Sequence, residues 1–246
     1  MSERQFGLIG KNIAYSFSKK YFTEKFADGN LLDCAYVNFD IQSIEAFPQL
    51  LTDNPQLKGL NVTIPYKEAV IPYLDQLSDK AAKIGAVNVI RFTKKGNLKG
   101  YNSDYYGFMK SFKPLLQPHH QKALILGTGG AAKAVAFALK QLGILYTFVS
   151  REEKEGGIDY DRINATTFDN YHIIINCTPL GTSPNTEAFP PIPYEYFTHK
   201  HIAYDLIYNP EETLFLKKAK QQGTITKNGY EMLVLQAEKA WKIWNK

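Results

Sequence analysis

The sequence predicts an α/β fold in two units, and three features of the chain carry that prediction. Short apolar runs alternate with longer amphipathic stretches along the 246 residues, a pattern typical of strand–helix–strand units with a mostly parallel sheet. A glycine-rich turn joins an apolar run to a helical stretch near the middle of the chain. The chain closes with an amphipathic helix within residues 229–246.

In the first half of the chain, apolar runs bounded by turn residues predict strands, and helical periodicity predicts helices. The expected strands are residues 6–9, 35–39, 57–64, 87–92 and 98–101, the last two paired around the Lys95-Gly96-Asn97 turn. The expected helices are residues 18–27, 44–51 and 67–77, the last interrupted by Pro72.

The second half of the chain repeats the alternation after residues 113–121, which predict a linker or loop. The expected strands are residues 123–126, 146–149, 173–176 and 202–207. Residues 131–142 predict a long helix, and Gly143 is placed to end it as a C-cap.

The composition excludes several classes of protein. The net charge of +5 fits either a mildly basic surface or a site for a small anion, and no block of basic residues points to nucleic acid. The two cysteines, Cys34 and Cys177, form no CxxC pair, which argues against disulfides and zinc and suits a reducing cytoplasm. No signal-peptide pattern and no long apolar run is present, so no membrane partner is expected.

The glycine-rich turn reads Gly127-Thr128-Gly129-Gly130-Ala131-Ala132, between a predicted strand and a predicted helix. This is the context that a dinucleotide-binding turn requires. The first glycine permits the tight turn, the second lets the backbone approach a pyrophosphate, and Ala132 keeps helix and strand close. Free N–H groups and the helix dipole attract the phosphate charge. We therefore predict a Rossmann-type dinucleotide-binding unit, with a plain strand-to-helix turn as the alternative.

The residues after the next strand select the cofactor, and they read Ser150-Arg151-Glu152. An acidic residue there favours the free 2′-hydroxyl of NAD, whereas arginine suits the 2′-phosphate of NADP. Arg151 is placed to bind that phosphate with two parallel hydrogen bonds, and Glu152 would repel it. We predict NADP, with NAD and a solvated charge cluster as alternatives.

Lys67 and Asp104 are the candidate acid–base residues. Lys67 lies at the first turn of a predicted helix. The helix dipole is positive at that end and does not stabilise a cation, so polar partners are needed to hold the lysine. Such a lysine can assist a ketone oxygen as hydride arrives. Asp104 follows a strand end, and if it faces Lys67 the pair can move a proton to and from a hydroxyl. The alternatives are a surface lysine and a plain helix N-cap.

Three further polar residues are candidate substrate contacts. Asn88 is polar within an apolar strand and needs a partner, for which a ligand hydroxyl is one candidate. Ser16 and Ser18 precede the first helix, where two hydroxyls and helix N–H groups can seat a carboxylate. The alternative for the serines is N-capping.

Read together, these motifs resemble those of the shikimate dehydrogenase family over nearly the whole chain. In chain order they are Ser16-Phe17-Ser18, NVTIPYK, GAVN, GYNSD, GTGGAAKA, NCTPLG, DLIYNP and GYEMLVLQA. The resemblance implies reversible reduction of 3-dehydroshikimate to shikimate with NADPH, a step of aromatic amino acid and chorismate biosynthesis. It implies that hydride comes from the nicotinamide and that Lys67 assists the oxygen.

The resemblance also implies roles for individual residues and domains. Lys67 and Asp104 are the implied catalytic pair, and no metal is expected. Substrate contacts are implied for Ser16, Ser18, Thr63, Lys67, Asn88, Asp104, Tyr208 and Gln236. Cofactor contacts are implied for Gly127, Thr128, Gly129, Gly130, Ala131, Ser150, Arg151, Thr178, Pro179 and Gly229. Residues 1–103 and 229–246 would form an α/β substrate domain to which the closing helix returns, and residues 104–228 the NADP-binding domain.

The chain departs from the family pattern at three places. Ser103 stands where the family has threonine, and Glu152 replaces the threonine of its NRT motif. The stretch between Arg151 and the strand at residue 173 is short and contains Gly156 and Gly157. We therefore predict that the Rossmann helix after the second strand is short or absent, and a regular three-turn helix there would contradict this.

Other functions stay open at this stage. The same fold could use NAD or act on quinate, and Glu152 motivates that alternative. A non-catalytic dinucleotide sensor is a second alternative, against which the presence of Lys67 and Asp104 argues. A methylene-tetrahydrofolate-like oxidoreductase is a third, against which the serine pair and Gln236 argue. The sequence leaves monomer and homodimer equally open.

Overall fold

A computed structural model describes residues 4–13, 16–151 and 156–246 of the chain. It forms two compact units, which we call unit 1 and unit 2. Unit 1 comprises Met1–Ser103 and Ala237–Lys246, and unit 2 comprises Asp104–Gln236.

Unit 1 is built on one six-stranded sheet. Its strands are β1 (Arg4–Gly10), β2 (Cys34–Asp40), β3 (Leu57–Val62), β4 (Gln76–Leu77), β5 (Val89–Phe92) and β6 (Leu98–Tyr101). They lie in the order β2-β1-β3-β5-β6-β4, with β2, β1 and β3 parallel and β5 antiparallel to β3 and β6. The helices are α1 (Phe17–Asp28), α2 (Phe47–Asp53), α3 (Tyr66–Ala69) and α4 (Asp79–Ile84).

One predicted helix of unit 1 is wrong over most of its length. Residues 67–77 were expected to be helical, but α3 ends at Ala69 and a 3₁₀ turn follows at Ile71–Tyr73. Pro72 explains this, because proline lacks the N–H group of a helical hydrogen bond and disfavours helical geometry in the residue before it. The chain then adds β4 and α4, which the sequence reading missed.

Unit 2 carries a second six-stranded sheet, and every strand pair in it is parallel. Its strands are β7 (Lys122–Leu126), β8 (Leu145–Ser150), β9 (Ile158–Asp159), β10 (Ile173–Asn176), β11 (Ile202–Asp205) and β12 (Ile225–Lys227). Its helices are α5 (Asp104–Phe112), α6 (Gly130–Gln141), α7 (Ala165–Asn170), α8 (Leu214–Gln221) and the first part of α9 (Tyr230–Trp244). The predicted Rossmann-type unit is confirmed.

The closing helix α9 is shared between the units, since the division falls after Gln236. Its second part packs into the core of unit 1, where the Trp244 ring stacks on Phe6 at 4.9 Å between centroids and Nε1 donates to the Ile90 carbonyl at 3.1 Å. Gly59 in β3 lies flat against that indole, and a Cβ there would collide with the ring. The expected return of the closing helix to the first domain is therefore confirmed.

The first part of α9 belongs to unit 2. The division between the units falls after Gln236, eight residues later in the chain than the expected division after residue 228. Gly107 of α5 shows why, because a Cβ at that position would lie 2.5 Å from the Met232 carbonyl and 3.1 Å from Gln236 Cβ. This close helix–helix approach ties the start of α9 to α5.

Two buried histidines tie the loops at the amino end of the unit 2 sheet. His120 precedes β7, and its Nδ1 accepts the backbone N–H of Gln117 at 2.9 Å. His201 precedes β11, and its Nδ1 accepts the N–H of Thr198 at 3.0 Å. Each ring also contacts a backbone carbonyl through Nε2, at 3.0 and 3.1 Å. Because Nδ1 accepts and Nε2 donates, both rings fit only as neutral imidazoles. Burial lowers the pKa of both, which favours the same form.

Within the described part of the chain, no helix combines the length and the apolar character that crossing a membrane requires.

Candidate functional site

The strand order of unit 2 defines where a ligand would bind. The sheet runs β12-β11-β10-β7-β8-β9, so the chain proceeds from β7 outward to β8 and β9 and then restarts at β10 in the other direction. In open parallel sheets, ligands bind in the crevice outside the carboxyl ends of the strands at such a reversal. The loops after β7 and β10 therefore flank the candidate cofactor crevice.

The loop after β7 is the glycine-rich turn. Gly127 has φ +103°, a conformation that side chains rarely adopt, and a Cβ there would lie 3.3 Å from both the Cys177 carbonyl and Thr178 Cγ2. Gly129 has an ordinary φ of −76°, and nothing lies within 4 Å of where its Cβ would stand. Ala132 lies on α6 and is fully buried. The first glycine is thus required by the backbone, whereas the second leaves open space beside the helix N-terminus.

Ser150 and Arg151 lie at the end of β8, at the same edge of the sheet as the glycine-rich turn that follows β7. Arg151 is exposed, and Ser150 pairs with Asp159 of β9. Tyr160 follows β9 beside this edge, where burial raises its pKa to about 12 and the charge of Arg151 opposes that rise. Glu152, which bears on the choice between NADP and NAD, lies outside the described residues.

The segment after β8 also tests the expected loss of a Rossmann helix. Between Gly156 and Phe168 the described chain holds the short strand β9, a 3₁₀ turn at Tyr160–Arg162, and the start of α7 at Ala165. No regular three-turn helix fits there, so this prediction is confirmed.

The loops after β10 and β11 are joined by buried polar groups. Thr178, an expected cofactor contact, donates through Oγ1 to Asn176 Oδ1 at 2.6 Å. Asn176 donates in turn to Asp205 Oδ1 at 3.1 Å. Burial raises the pKa of Asp205 to about 7, and its hydrogen bonds act against that rise. Pro179, Tyr208 and Gly229 lie on or beside these two loops, and a Cβ on Gly229 would collide with the Leu206 carbonyl.

In unit 1, the expected substrate contact Asn88 is held by Ser103. Its Oδ1 accepts the backbone N–H of Ser103 at 2.6 Å, and its Nδ2 donates to Ser103 Oγ at 3.0 Å. Lys67 lies on α3, half-buried, and its carbonyl accepts the N–H of Val87 at 2.7 Å. Thr63 follows the end of β3 and donates its N–H to the Ile9 carbonyl at 2.9 Å. The structure thus sets the segment of Lys67 directly beside the segment of Asn88.

The two serines lie at the start of α1. Ser16 occupies the N-cap position, yet its hydroxyl caps no N–H group among the described residues, which disfavours the plain N-cap alternative. Ser18 is buried and hydrogen-bonds to the phenol of Tyr36. Tyr36 donates to Asn61 Oδ1 at 2.8 Å, and Asn61 Nδ2 donates to the Asn88 carbonyl at 3.2 Å. A continuous chain of hydrogen bonds therefore links Ser18 to Asn88.

The remaining expected contacts lie in unit 2. Asp104 is the first residue of α5 and is only 5% exposed. Gln236 is buried on α9. Lys67 and Asp104 belong to different units, and their pairing stays a prediction.

Sequence reasoning missed the residues that hold the expected contacts in place. They are Tyr36, Asn61, Ser103, Asn176, Asp205 and Thr213. The available signal was a polar side chain in or next to an apolar strand. That signal identified Asn88, and it applies equally to these supporting residues. Among the described residues, no cluster of three or more histidine, cysteine or carboxylate side chains is arranged to bind a metal ion.

Comparisons with known proteins agree with this arrangement. A family model described as the shikimate dehydrogenase substrate binding domain matches residues 8–90. A Methanosphaera stadtmanae protein named shikimate dehydrogenase (NADP(+)) is 38% identical over 257 residues, covering 97% of this chain and 90% of that protein.

Solved structures give the same result. The shikimate 5-dehydrogenase of Thermus thermophilus in complex with NADP(H) and shikimate has a TM-score of 0.85 and 31% identity, covering 98% of this chain and 93% of that chain. The Listeria monocytogenes shikimate 5-dehydrogenase in complex with shikimate and NAD has a TM-score of 0.84 and 27% identity, covering 99% of this chain and 92% of that chain. The resemblance read from the motifs is confirmed.

Proposed function

Because the chain belongs to the shikimate dehydrogenase family, we propose that it interconverts 3-dehydroshikimate and shikimate with NADP(H). The observation that carries this proposal is the 38% identity over 97% of the chain, which spans both units. In this proposal, residues 1–103 and 229–246 bind the substrate, and residues 104–228 bind the cofactor.

The glycine turn supports cofactor binding. The open space beside Gly129 at the N-terminus of α6 suits a pyrophosphate, because free N–H groups and the helix dipole favour an anion there. Arg151, exposed at the end of β8, is assigned to the 2′-phosphate. When bound, NADPH supplies the hydride that reduces the ketone carbon. The remaining proposed cofactor contacts are Gly127, Thr128, Gly130, Ala131, Ser150, Thr178, Pro179 and Gly229.

The polar residues of unit 1 support binding of a small hydroxylated acid. Ser16 and Ser18, at the N-terminus of a 12-residue helix, are assigned to the carboxylate. Asn88, whose amide is oriented by Ser103, is assigned to a ring hydroxyl. Thr63, Tyr208 and Gln236 complete the proposed substrate contacts.

Lys67 and Asp104 are assigned to proton transfer. In reduction, the Lys67 ammonium donates a proton to the ketone oxygen, so the product hydroxyl forms without a free alkoxide. In oxidation, the same group takes the proton back. Asp104, almost fully buried at the start of α5, is assigned to hold the lysine by charge.

The test is the absorbance of reduced nicotinamide with purified protein, shikimate, and either NADP or NAD. Rapid reduction of NADP is the expected result. Reduction mainly of NAD would keep the chemistry and overturn the cofactor assignment. Absence of reduction with both would contradict the proposed function, and quinate would then be assayed in the same way.

A second candidate, the same reaction with NAD or with quinate, is favoured by one feature of this chain. Glu152 follows Arg151, and the carboxylate would repel a 2′-phosphate. The related Listeria monocytogenes structure holds shikimate and NAD. Steady-state rates with both cofactors and both acids distinguish the candidates. A non-catalytic role would be supported if the protein bound NADP yet turned over neither acid.

We also propose that the protein works in the cytoplasm, as a monomer or homodimer, on small molecules and without nucleic acid or membrane partners. Cys34 and Cys177 are both free thiols, which suits a reducing compartment. Light scattering coupled to gel filtration would give the oligomeric state.

A further inference from the structure

Asp205 is a carboxylate that cannot touch any ligand and yet lies at the carboxyl end of β11, beside the candidate crevice. It is 0% exposed. Three donors satisfy it: Thr213 Oγ1 at 2.6 Å from Oδ2, and the N–H of Ile207 and Nδ2 of Asn176 at 3.0 and 3.1 Å from Oδ1. Burying a carboxylate costs free energy unless such partners compensate it, so this arrangement needs a structural reason.

The orientation of the Asn176 amide gives that reason. Its Oδ1 accepts both the N–H and the Oγ1 of Thr178, at 3.0 and 2.6 Å, so its Nδ2 must face Asp205. Thr178 Oγ1 in turn accepts the N–H of Leu180 at 3.3 Å. Asp205 thus holds one end of the Asn176 amide while Thr178 and Leu180 meet the other bonds, and the amide joins the carboxylate to the backbone of residues 177–180.

That backbone forms one wall of the candidate crevice. The N–H of Cys177 donates to the Leu126 carbonyl at 2.9 Å, and Gly127 packs against Cys177 and Thr178. The loop after β10 thus lies against the glycine turn at the reversal of strand order, where a dinucleotide binds. With the adenosine half assigned to Arg151 at the end of β8, the loop after β10 falls to the nicotinamide half.

We propose that Asp205 is a positioning residue that, through Asn176, fixes the loop of Thr178 against the nicotinamide half of the cofactor. This inference rests on the proposed function. An asparagine at position 205 keeps the shape and can still accept both N–H groups through its Oδ1, with its amide N–H₂ turned to the Thr213 hydroxyl. It replaces a charged acceptor by a neutral one, and so weakens the hold on the Asn176 amide.

The experiment compares Asp205→Asn with the wild-type protein in binding two ligands, NADP and adenosine 2′,5′-bisphosphate. The second ligand carries the adenosine and its phosphates without nicotinamide. We expect NADP to bind about three- to tenfold more weakly, as for exchange of a charged hydrogen-bond acceptor for a neutral one, while the fragment changes by less than about twofold. Turnover with shikimate should also fall. Equal weakening of both ligands, or no weakening of NADP, would overturn the inference.

Tyr204→Phe is the matched control, since Tyr204 precedes Asp205 in β11 and its side chain is also fully buried. Its hydroxyl pairs with Ser111 Oγ of α5 at 2.7 Å. This variant loses one buried hydrogen bond of unit 2, and the ratio of NADP to fragment affinity should stay at the wild-type value. A fall in that ratio like that of Asp205→Asn would show that general loosening of unit 2 suffices, and would overturn the inference.

A milder variant covers the case in which Asp205→Asn does not fold. Thr213→Val removes one donor to Asp205, and it should weaken NADP by about two- to tenfold without changing fragment binding. Thr213→Ser keeps the hydroxyl and should restore wild-type binding. If wild-type protein shows no turnover of shikimate, the proposed function fails. If it turns over shikimate and these variants bind NADP normally, only the role of Asp205 fails.

Discussion

The two glycines of the β7–α6 turn should fail in different ways when each is replaced by alanine. Gly127 has φ +103°, and its new Cβ would lie 3.3 Å from the Cys177 carbonyl and Thr178 Cγ2. Strained backbone of this kind costs about 1–3 kcal/mol. A loss of about 2 kcal/mol lowers the melting temperature of a chain this long by about 4–8 °C.

Gly129→Ala should leave the free protein almost unchanged. Its φ of −76° suits alanine, and no atom lies within 4 Å of the added methyl group. Alanine is a weaker N-cap than glycine, which destabilises α6, but it also lowers the conformational entropy of the unfolded chain, which stabilises the folded protein. Because these effects nearly cancel, the free energy of unfolding should change by no more than about 0.5 kcal/mol. The methyl group instead occupies the space assigned to the pyrophosphate, and NADP affinity should fall by about tenfold or more.

The assay is thermal unfolding of both variants without cofactor, together with fluorescence titration by NADPH. We expect Gly127→Ala to lose stability and affinity, and Gly129→Ala to lose affinity alone. The reasoning is refuted if Gly129→Ala binds NADPH like wild type, or if it lowers the melting temperature as much as Gly127→Ala does.

Three other predictions address the acid–base residue, the cofactor and pH. Lys67→Ala should lower turnover by about a hundred- to ten-thousandfold with NADP affinity nearly intact, and a loss below about tenfold in stopped-flow or steady-state rates contradicts the role. Arg151→Ala should weaken NADP about tenfold or more beyond its effect on NAD, whereas equal weakening in paired titrations would show that it does not read the 2′-phosphate. Acid should destabilise the protein through the buried histidines, because burial lowers the folded pKa of His201 below its ordinary 6.5. The stabilisation is present above pH 6.5 and is lost as pH falls through the folded pKa. The difference in unfolding free energy between wild type and His201→Asn, measured in urea, should therefore shrink as pH falls from 7.5 to 5. The raised pKa of Asp205 acts in the opposite direction, but it is common to both proteins and cancels, and His199→Asn, at an exposed histidine, serves as the control variant.

Local signals made much of the fold predictable. The glycine turn, the apolar strands and the amphipathic closing helix each depend on residues close together in sequence, and each appears where the pattern places it. The shortened Rossmann helix after β8 was predictable for the same reason, since the stretch between Arg151 and Ile173 is short and contains Gly156 and Gly157. Pro72 was visible too, but its effect on the helix was underestimated.

The support around the candidate site was not predictable, because it depends on residues distant in sequence. Tyr36 and Asn61 are 25 positions apart and Asn176 and Asp205 are 29 apart, yet each pair shares one buried hydrogen bond. Periodicity shows that a strand is buried but does not show which neighbouring strand supplies the partner of a polar residue within it. Residue roles at the site came from motif resemblance, and they stay predictions until the variants are measured.

The division of α9 has a consequence for synthesis on the ribosome. Ala237, Ala240, Ile243 and Trp244 belong to the same apolar cluster as Phe6. Residues 1–103 therefore lack part of their own core until residues 237–244 have been made. Unit 2 is contiguous in the chain, so nearly all of it is made while residues 1–103 still lack those side chains, and we expect that segment to need protection from aggregation meanwhile.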